Sequence, residues 1–179
     1  MAALAIPITG EDHLQGREGA PLKLVEYGNY ECRRCGAAHP IVKAILEHFG
    51  PEIVFVYRHF ALLEGYPNAE RAAEVAELAA AHGRFWEMHD LLYANQEHLT
   101  GLLPVTLARQ LALPENEIQE ALIGKRFAVK IHTDFTGGLR SGVTSTPTFF
   151  INGLGYEGPA ELEPLTAAIE AERSGSGSS

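Results

Sequence analysis

The sequence predicts an α/β protein: a mixed sheet laid down as β-α-β and then β-β-α, with an all-helical insertion between the two halves. Three observations predict it. Within residues 22–57, two short apolar runs flank a stretch of helical periodicity. From Asn68 to about Gly142 the pattern is helical throughout. Near the end, Asn152-Gly153 separates two further apolar runs, a strong short-range hairpin signal.

Taken in order, residues 1–18 read as an N-terminal extension and 19–60 as the first half of the sheet unit. Leu22 to Tyr27 is a strand, bounded by Gly19-Ala-Pro21 and Gly28-Asn29. Arg33 to Phe49 is a helix: Ile41, Val42, Ile45, Leu46 and Phe49 recur at its spacing, and Gly50-Pro51 ends it. Ile53 to Tyr57, dense in β-branched and aromatic residues, suits a buried parallel strand, reached by a right-handed crossover. Residues 61–142 form the insertion. Asn68 is placed to cap a helix over Ala69–Ala81, and Phe85 to Asn95 forms the next. Pro104 and Pro114 suit the first turns of two short helices, with Glu115 and Glu117 near the positive end of the second. Phe127, Ile131, Phe135 and Leu139 make an i, i+4 stripe that Gly137-Gly138 weakens by roughly 1 kcal/mol per glycine. Residues 143–172 return to the sheet unit with Pro147 to Ile151, the hairpin, and an amphipathic helix over Glu161–Glu170. Residues 173–179, rich in Ser and Gly, read as a flexible tail.

Composition narrows the function. The formal net charge is −9 over 179 residues, which argues against a nucleic-acid partner, since phosphate binding needs a basic surface. No apolar run is long enough to span a bilayer, so no membrane insertion is expected. The opening residues lack the basic and apolar regions of a signal peptide. The expected compartment is the cytoplasm as the chain is written, or an extracytoplasmic space if an export signal has been removed. The two cysteines lie three apart, too few and too close for a secreted disulfide scaffold.

The chemistry therefore centres on Cys32-Arg33-Arg34-Cys35 where the first strand feeds its helix. At the helix mouth, free amide N–H groups favour an anion, so Cys32 is the expected thiolate nucleophile. Cys35 lies one turn inward, shielded by Ala37, Ala38 and the helix body, and resolves the mixed disulfide. Arg33 and Arg34 are expected to lower the Cys32 pKa further, each tenfold being worth roughly 30 mV toward an oxidising potential. The competing reading is half of a zinc site, which His39 would extend. No metal site is assigned, because no second ligand pair is evident. Glu26 shares strand parity with Leu22 and Leu24 and points inward. There it is either a buried acid exchanging a proton with Cys35 or a strand-end carboxylate reaching solvent. Thr146-Pro147 either opens an edge strand or, if its bond is cis, presents the Thr146 backbone to a substrate chain.

Leu24-Val-Glu-Tyr-Gly-Asn-Tyr-Glu-Cys-Arg-Arg-Cys-Gly36 resembles the active-site segment of DsbA-like proteins of the thioredoxin fold. Tyr57-Arg-His-Phe60, Phe85 to Leu92, and Gly142 to Gly153 resemble later landmarks of that family in the same order, over roughly residues 11–171. The resemblance implies a thioredoxin fold with a helical insertion, Cys32 as the exposed nucleophile, Cys35 as the buried resolving thiol, Glu26 as the buried acid, and a cis Pro147 with Thr146 beside the dithiol. Arg33 stands where the family often has proline, and the chain shows no export signal. Neither the redox potential nor the direction of catalysis carries over.

The remaining candidates read more simply. The eight histidines form no HxxxH or HExxH pattern, and only His39 and His59 are placed to approach the cysteines. Phe85, Trp86, Met88 and Tyr93 are expected to fill the insertion's core, and Glu70, Glu74 and Glu77 to form a solvated helix face. The expected activity is thiol–disulfide oxidoreduction with no bound cofactor. The expected partners are cysteine-containing proteins and a redox partner that recycles the dithiol. The rival functions are a metal- or partner-binding module and a cytoplasmic reductase or isomerase.

Overall fold

A five-stranded sheet in the order β1-β3-β2-β4-β5 carries the architecture. It is seen in a computed structural model that describes residues 2–61 and 65–175. The elements are β1 (His13–Gly16), β2 (Leu22–Gly28), α1 (Arg33–Phe49), β3 (Ile53–His59), α2 (Ala69–Ala81), α3 (Phe85–Ala94), α4 (Leu103–Gln110), α5 (Glu115–Gly124), α6 (Ala128–Arg140), β4 (Thr148–Ile151), β5 (Leu154–Gly155) and α7 (Leu162–Gly175). β2 and β3 run parallel, joined through α1. β4 pairs antiparallel with β2, and β5 with β4. The α/β class and the thioredoxin-type order expected from the sequence are both present.

β1 was not expected. It lies within the N-terminal extension and pairs antiparallel with β3, His13 opposite Tyr57. Its four residues, HLQG, are too few and too polar to announce a strand. The partner strand supplies what their composition lacks.

Both faces of the sheet are covered, which explains why β3 is buried along its whole length. On one face, Leu22, Leu24, Phe55, Tyr57 and Phe149 pack with α1, α7 and the helical insertion in one continuous core. On the other, Val25, Tyr27, Val56, Phe60 and Phe150 pack with Val143 and Phe135. Phe85, Met88 and Tyr93 join the first core, so the insertion extends the sheet's own core instead of building a separate one. The hairpin turn is as expected: Asn152 and Gly153 both adopt positive φ, at 49° and 86°.

Several local expectations are corrected. The Asn68 side chain does not cap α2; its amide donates to Glu31 across the chain. Pro114 precedes α5 as its N-cap residue and is not in the first turn. Leu139 of the apolar stripe is 53% exposed, and Gly137 and Gly138 form the buried edge of α6 instead. Glu74 and Glu77 are buried, not solvated. α2 packs against α3, α4, α5 and α6, so the part of that face carrying Glu74 and Glu77 meets protein, while Glu70 at its start stays partly exposed. Glu74 accepts the Phe127 amide N–H, and Glu77 accepts from two histidines.

Candidate functional site

The cysteine pair sits at the start of α1, as the sequence places it. Cys32 is the N-cap residue and has extended backbone. Both cysteines are free thiols. Cys35, one turn in, is completely buried. Ala37 is exposed and does not shield it; Ala38 does, together with the core.

Cys32 is only 3% exposed, more covered than expected of a nucleophile. It nevertheless lines a cleft of about 420 Å³, shared with Arg33, Arg34, Tyr66, Ser145 and Thr146. The covering groups come from segments distant in sequence, around Tyr66 and Thr146. The Cys32 Sγ lies 3.3 Å from the Thr146 carbonyl oxygen. Thr146-Pro147 is a cis bond, as the resemblance implied, and it places Thr146 against the dithiol.

Electrostatics divide the two sulfurs. The Cys32 thiol is drawn down to about 5, chiefly by a hydrogen bond from Cys35. Burial opposes this, and the Thr146 side chain and the amides of Cys35 and Arg34 support it. The Cys35 thiol is pushed well up by burial, and by donating its proton to Cys32. The expected asymmetry is therefore present, but its source differs. Arg33 and Arg34 are both exposed, and their guanidinium groups are not among the leading causes. Amides at the helix mouth are close and fixed, whereas an exposed guanidinium is screened by water.

Glu26 lies beneath the pair, 2% exposed, on the same sheet face as Leu24. Its Oε1 has no hydrogen-bond partner among the described residues. Burial, and then the charge on Cys32, raise its pKa to about 8. It in turn disfavours the charged form of Cys35, so the two groups sense one another.

Three neighbours were not legible. Gln96, just after α3, donates from Nε2 to the carbonyls of both Tyr30 and Cys32, at 2.7 and 2.8 Å. Its amide lies over Gly36, where a Cβ would meet Oε1 at 2.2 Å. Tyr66 lines the same cleft as Cys32 and has its pKa raised, first by the Cys32 charge. Glu31 accepts from the backbone and side-chain amides of Asn68 and so tethers the start of α2 to the active loop. No local pattern marks these residues, since each acts across tens of residues of chain.

The histidines singled out earlier turn elsewhere. His39 pairs with Asp90 at 3.1 Å and stacks on Tyr93, rather than completing a ligand set with the cysteines. His59 bonds Glu77 at 2.7 Å.

Comparison with known proteins agrees with this geometry. Several solved structures share the fold across nearly the whole chain. BdbD from Bacillus subtilis, in its oxidised form, superposes with a TM-score of 0.83 at 22% identity, covering 96% of this chain and 97% of that one. Wolbachia pipientis alpha-DsbA1 gives 0.82 at 21% identity, covering 96% and 95%. Among curated proteins, the chain is 41% identical over 173 residues to Na(+)/H(+) antiporter NhaA 1 of Salinispora arenicola (strain CNS-205). It is 40% identical over 167 residues to Na(+)/H(+) antiporter NhaA 3 of Salinispora tropica. The matches cover 96% and 93% of this chain, which spans about a quarter of the length of those relatives, 26% in each case. Among the described residues no helix is long and apolar enough to cross a membrane. A family profile described as Thioredoxin matches residues 8–171. The chain belongs to the thioredoxin family, in the helix-inserted form of the fold that the DsbA proteins share.

Proposed function

We propose that this chain is a thiol–disulfide oxidoreductase that exchanges disulfides with cysteine-containing proteins. The observation that carries the reading is the asymmetry of the pair. An acidic Cys32 faces a cleft, and a buried Cys35 stays protonated one turn deeper.

The reaction follows from that asymmetry. In the reducing direction, the Cys32 thiolate attacks a substrate disulfide, forms a mixed disulfide and expels one substrate thiolate. The negative charge on Cys32 is then gone. That charge was one of the two causes holding Glu26 protonated, so the Glu26 carboxyl becomes more acidic at the moment a base is needed. Glu26 accepts the Cys35 proton. The Cys35 sulfur attacks Cys32, closing the disulfide and releasing the second substrate thiolate. The protein dithiol is oxidised by two electrons and the substrate disulfide is reduced by two. In the oxidising direction the steps reverse, and Glu26 returns the proton to Cys35. The electrons travel in the cysteine pair, so no bound cofactor takes part, and a separate redox partner resets the pair. Thr146 presents backbone beside Cys32, where an extended substrate strand would lie. The low Cys32 pKa favours the dithiol over the disulfide, so the proposed direction with protein thiols is oxidation.

Oxidised chain mixed with a reduced, unfolded two-cysteine protein tests this. The chain is expected to pass its disulfide to that protein in stoichiometric amount, with Cys32→Ser inactive, and reduced Cys35→Ser is expected to be trapped as a mixed disulfide when the test protein is supplied in its disulfide form. Transfer that persists in Cys32→Ser would overturn the assignment. A glutathione-equilibrated potential near −270 mV, the value of about −270 mV typical of thioredoxin, would overturn the direction.

A further inference from the structure

A second cluster of chemically able side chains lies away from the dithiol, and the exchange does not use it. His13 stands at the start of β1, His59 at the end of β3 and Glu77 in α2. The sheet register brings the histidines together. His13 is opposite Tyr57, and His59 is two residues further along the same face. Glu77 comes down on them from the helix above. Its Oε1 lies 2.6 Å from His13 Nε2 and 2.7 Å from His59 Nε2. All three donor atoms fall within 4.8 Å of one another.

We propose that His13, His59 and Glu77 form a binding site for a divalent transition-metal ion, zinc by its donor set, which clips β1 to β3 and α2. Two imidazole nitrogens and one carboxylate oxygen are a set that zinc takes with a fourth position open to water. Bond lengths near 2.0–2.1 Å imply donor separations of about 3.3 Å in a tetrahedron. The two separations from Glu77, 2.6 and 2.7 Å, are shorter than that by about 0.6–0.7 Å, so withdrawal of the carboxylate by less than an ångström admits the ion.

The surroundings fix the donors. The His13 ring lies flat on Phe85, centroids 3.5 Å apart and planes within 9°. The His59 backbone N–H donates to Asp134 of α6. Trp86 of α3 donates to the carbonyl of Leu14, holding β1 down beside His13. Glu77 and His59 are buried and His13 is partly open, so the ion has an approach from one side only. Neutral imidazoles bind through Nε2 once their proton moves to Nδ1, and the carboxylate supplies a compensating charge.

The test removes the competing thiolates first. Full-length Cys32→Ser/Cys35→Ser chain, stripped with a chelator, is titrated with Zn²⁺ by calorimetry and with Co²⁺ by visible absorption and proton NMR. The expected result is one equivalent of Zn²⁺, bound with micromolar or tighter affinity. The Co²⁺ form is expected to be four- or five-coordinate with two hyperfine-shifted imidazole N–H signals. Glu77→Gln in the same background is expected to weaken Zn²⁺ at least tenfold. No heat up to millimolar Zn²⁺, or affinity unchanged in Glu77→Gln, overturns the site. Should Glu77→Gln fail to fold, the Co²⁺ spectrum of the parent decides: any number of shifted imidazole signals other than two refutes the assignment. The outcome is independent of the dithiol chemistry, since both cysteines are absent.

Discussion

Replacing Glu26 with glutamine is expected to stabilise the protein above neutral pH while slowing its chemistry. The Glu26 carboxyl has an ordinary value of 4.5 and is raised to about 8 in the fold, first by burial and then by the Cys32 charge. Its ionisation is therefore resisted by the folded state and not by the unfolded one. Below about pH 4.5 it is protonated in both states and costs nothing. As pH rises toward 8 the unfolded chain releases the proton while the folded chain keeps it, and folding loses stability throughout that window. Each tenfold in acidity is worth about 1.4 kcal/mol, so the full loss approaches 5 kcal/mol, or about 3–5 kcal/mol once the site relaxes around the charge. The glutamine variant has no such loss. Urea unfolding of the reduced parent and of Glu26→Gln at a series of pH values reads the difference directly. The variant's advantage should be smallest near pH 4 and grow steadily to a plateau above pH 8. Contributions from Cys32 are present in both proteins and cancel to first order. Release of substrate from the mixed disulfide should meanwhile slow by about 10²–10³-fold, the scale of a lost general base. A stability difference that stays flat across pH would show that Glu26 titrates normally, and the proton route to Cys35 would fall with it.

Thiolate absorbance of the reduced protein should titrate with a midpoint of about 5, set mainly by the Cys35 hydrogen bond; a midpoint near the ordinary 9.0 refutes the activation argument. In Cys35→Ala that midpoint should rise markedly, whereas Arg33→Ala and Arg34→Ala should leave it almost in place. Gln96→Ala removes two donors from the carbonyls of Tyr30 and Cys32 and should cost about 1–2 kcal/mol in urea unfolding. It should also shift the thiolate midpoint, a readout that a purely structural glutamine would leave unmoved. Gly138→Ala should destabilise by about 1–2 kcal/mol although alanine is the better helix former. The added Cβ would sit 2.7 Å from the Phe60 ring and 3.0 Å from Tyr27, and a raised melting temperature would refute the close-packing account.

The elements legible in the sequence are those whose information is local. α1 spans Arg33–Phe49 because its apolar spacing and the Gly50-Pro51 stop are written within one segment. The Asn152-Gly153 turn is legible for the same reason, as both positions need positive φ. Cys32 and Cys35 are three residues apart on one turn, so a helix start is enough to bring them together. β1 and the buried Glu77 were illegible because their meaning arrives from elsewhere. Glu77 belongs to a helix whose acidic residues, Glu70, Glu74 and Glu77, together look like a solvated face until α4, α5 and α6 pack against it. Arg58 makes the same point inside a strand. It spends its guanidinium on both carboxylate oxygens of Asp12, the carbonyls of Ile6 and Pro7, and the Tyr27 hydroxyl. A buried arginine is tolerable only with partners of that kind, and they lie more than forty residues away in three of those cases.

The site shows what this non-local wiring does for the chemistry. A two-cysteine turn at a helix mouth is chemically symmetric until its surroundings distinguish the sulfurs. The first sulfur is acidic chiefly because Cys35 and the helix-mouth amides, inside the motif, bond to it, and Thr146 adds to this from outside. Four residues outside the motif surround that arrangement. Thr146 closes over Cys32 from the far half of the fold, Glu26 lies below, Tyr66 stands at the rim, and Gln96 holds the carbonyls that shape the loop. The last two belong to the connection and helices inserted between the sheet's halves. The insertion therefore does more than cover the sheet. It fixes the backbone that aims the helix amides at Cys32, so arginines at positions 33 and 34 can face solvent without the thiolate losing its support. On this division of labour the side chains at positions 33 and 34 tune the surface a partner meets, Cys35, Thr146 and the helix amides set the acidity of the sulfur, and the insertion holds the backbone that carries them.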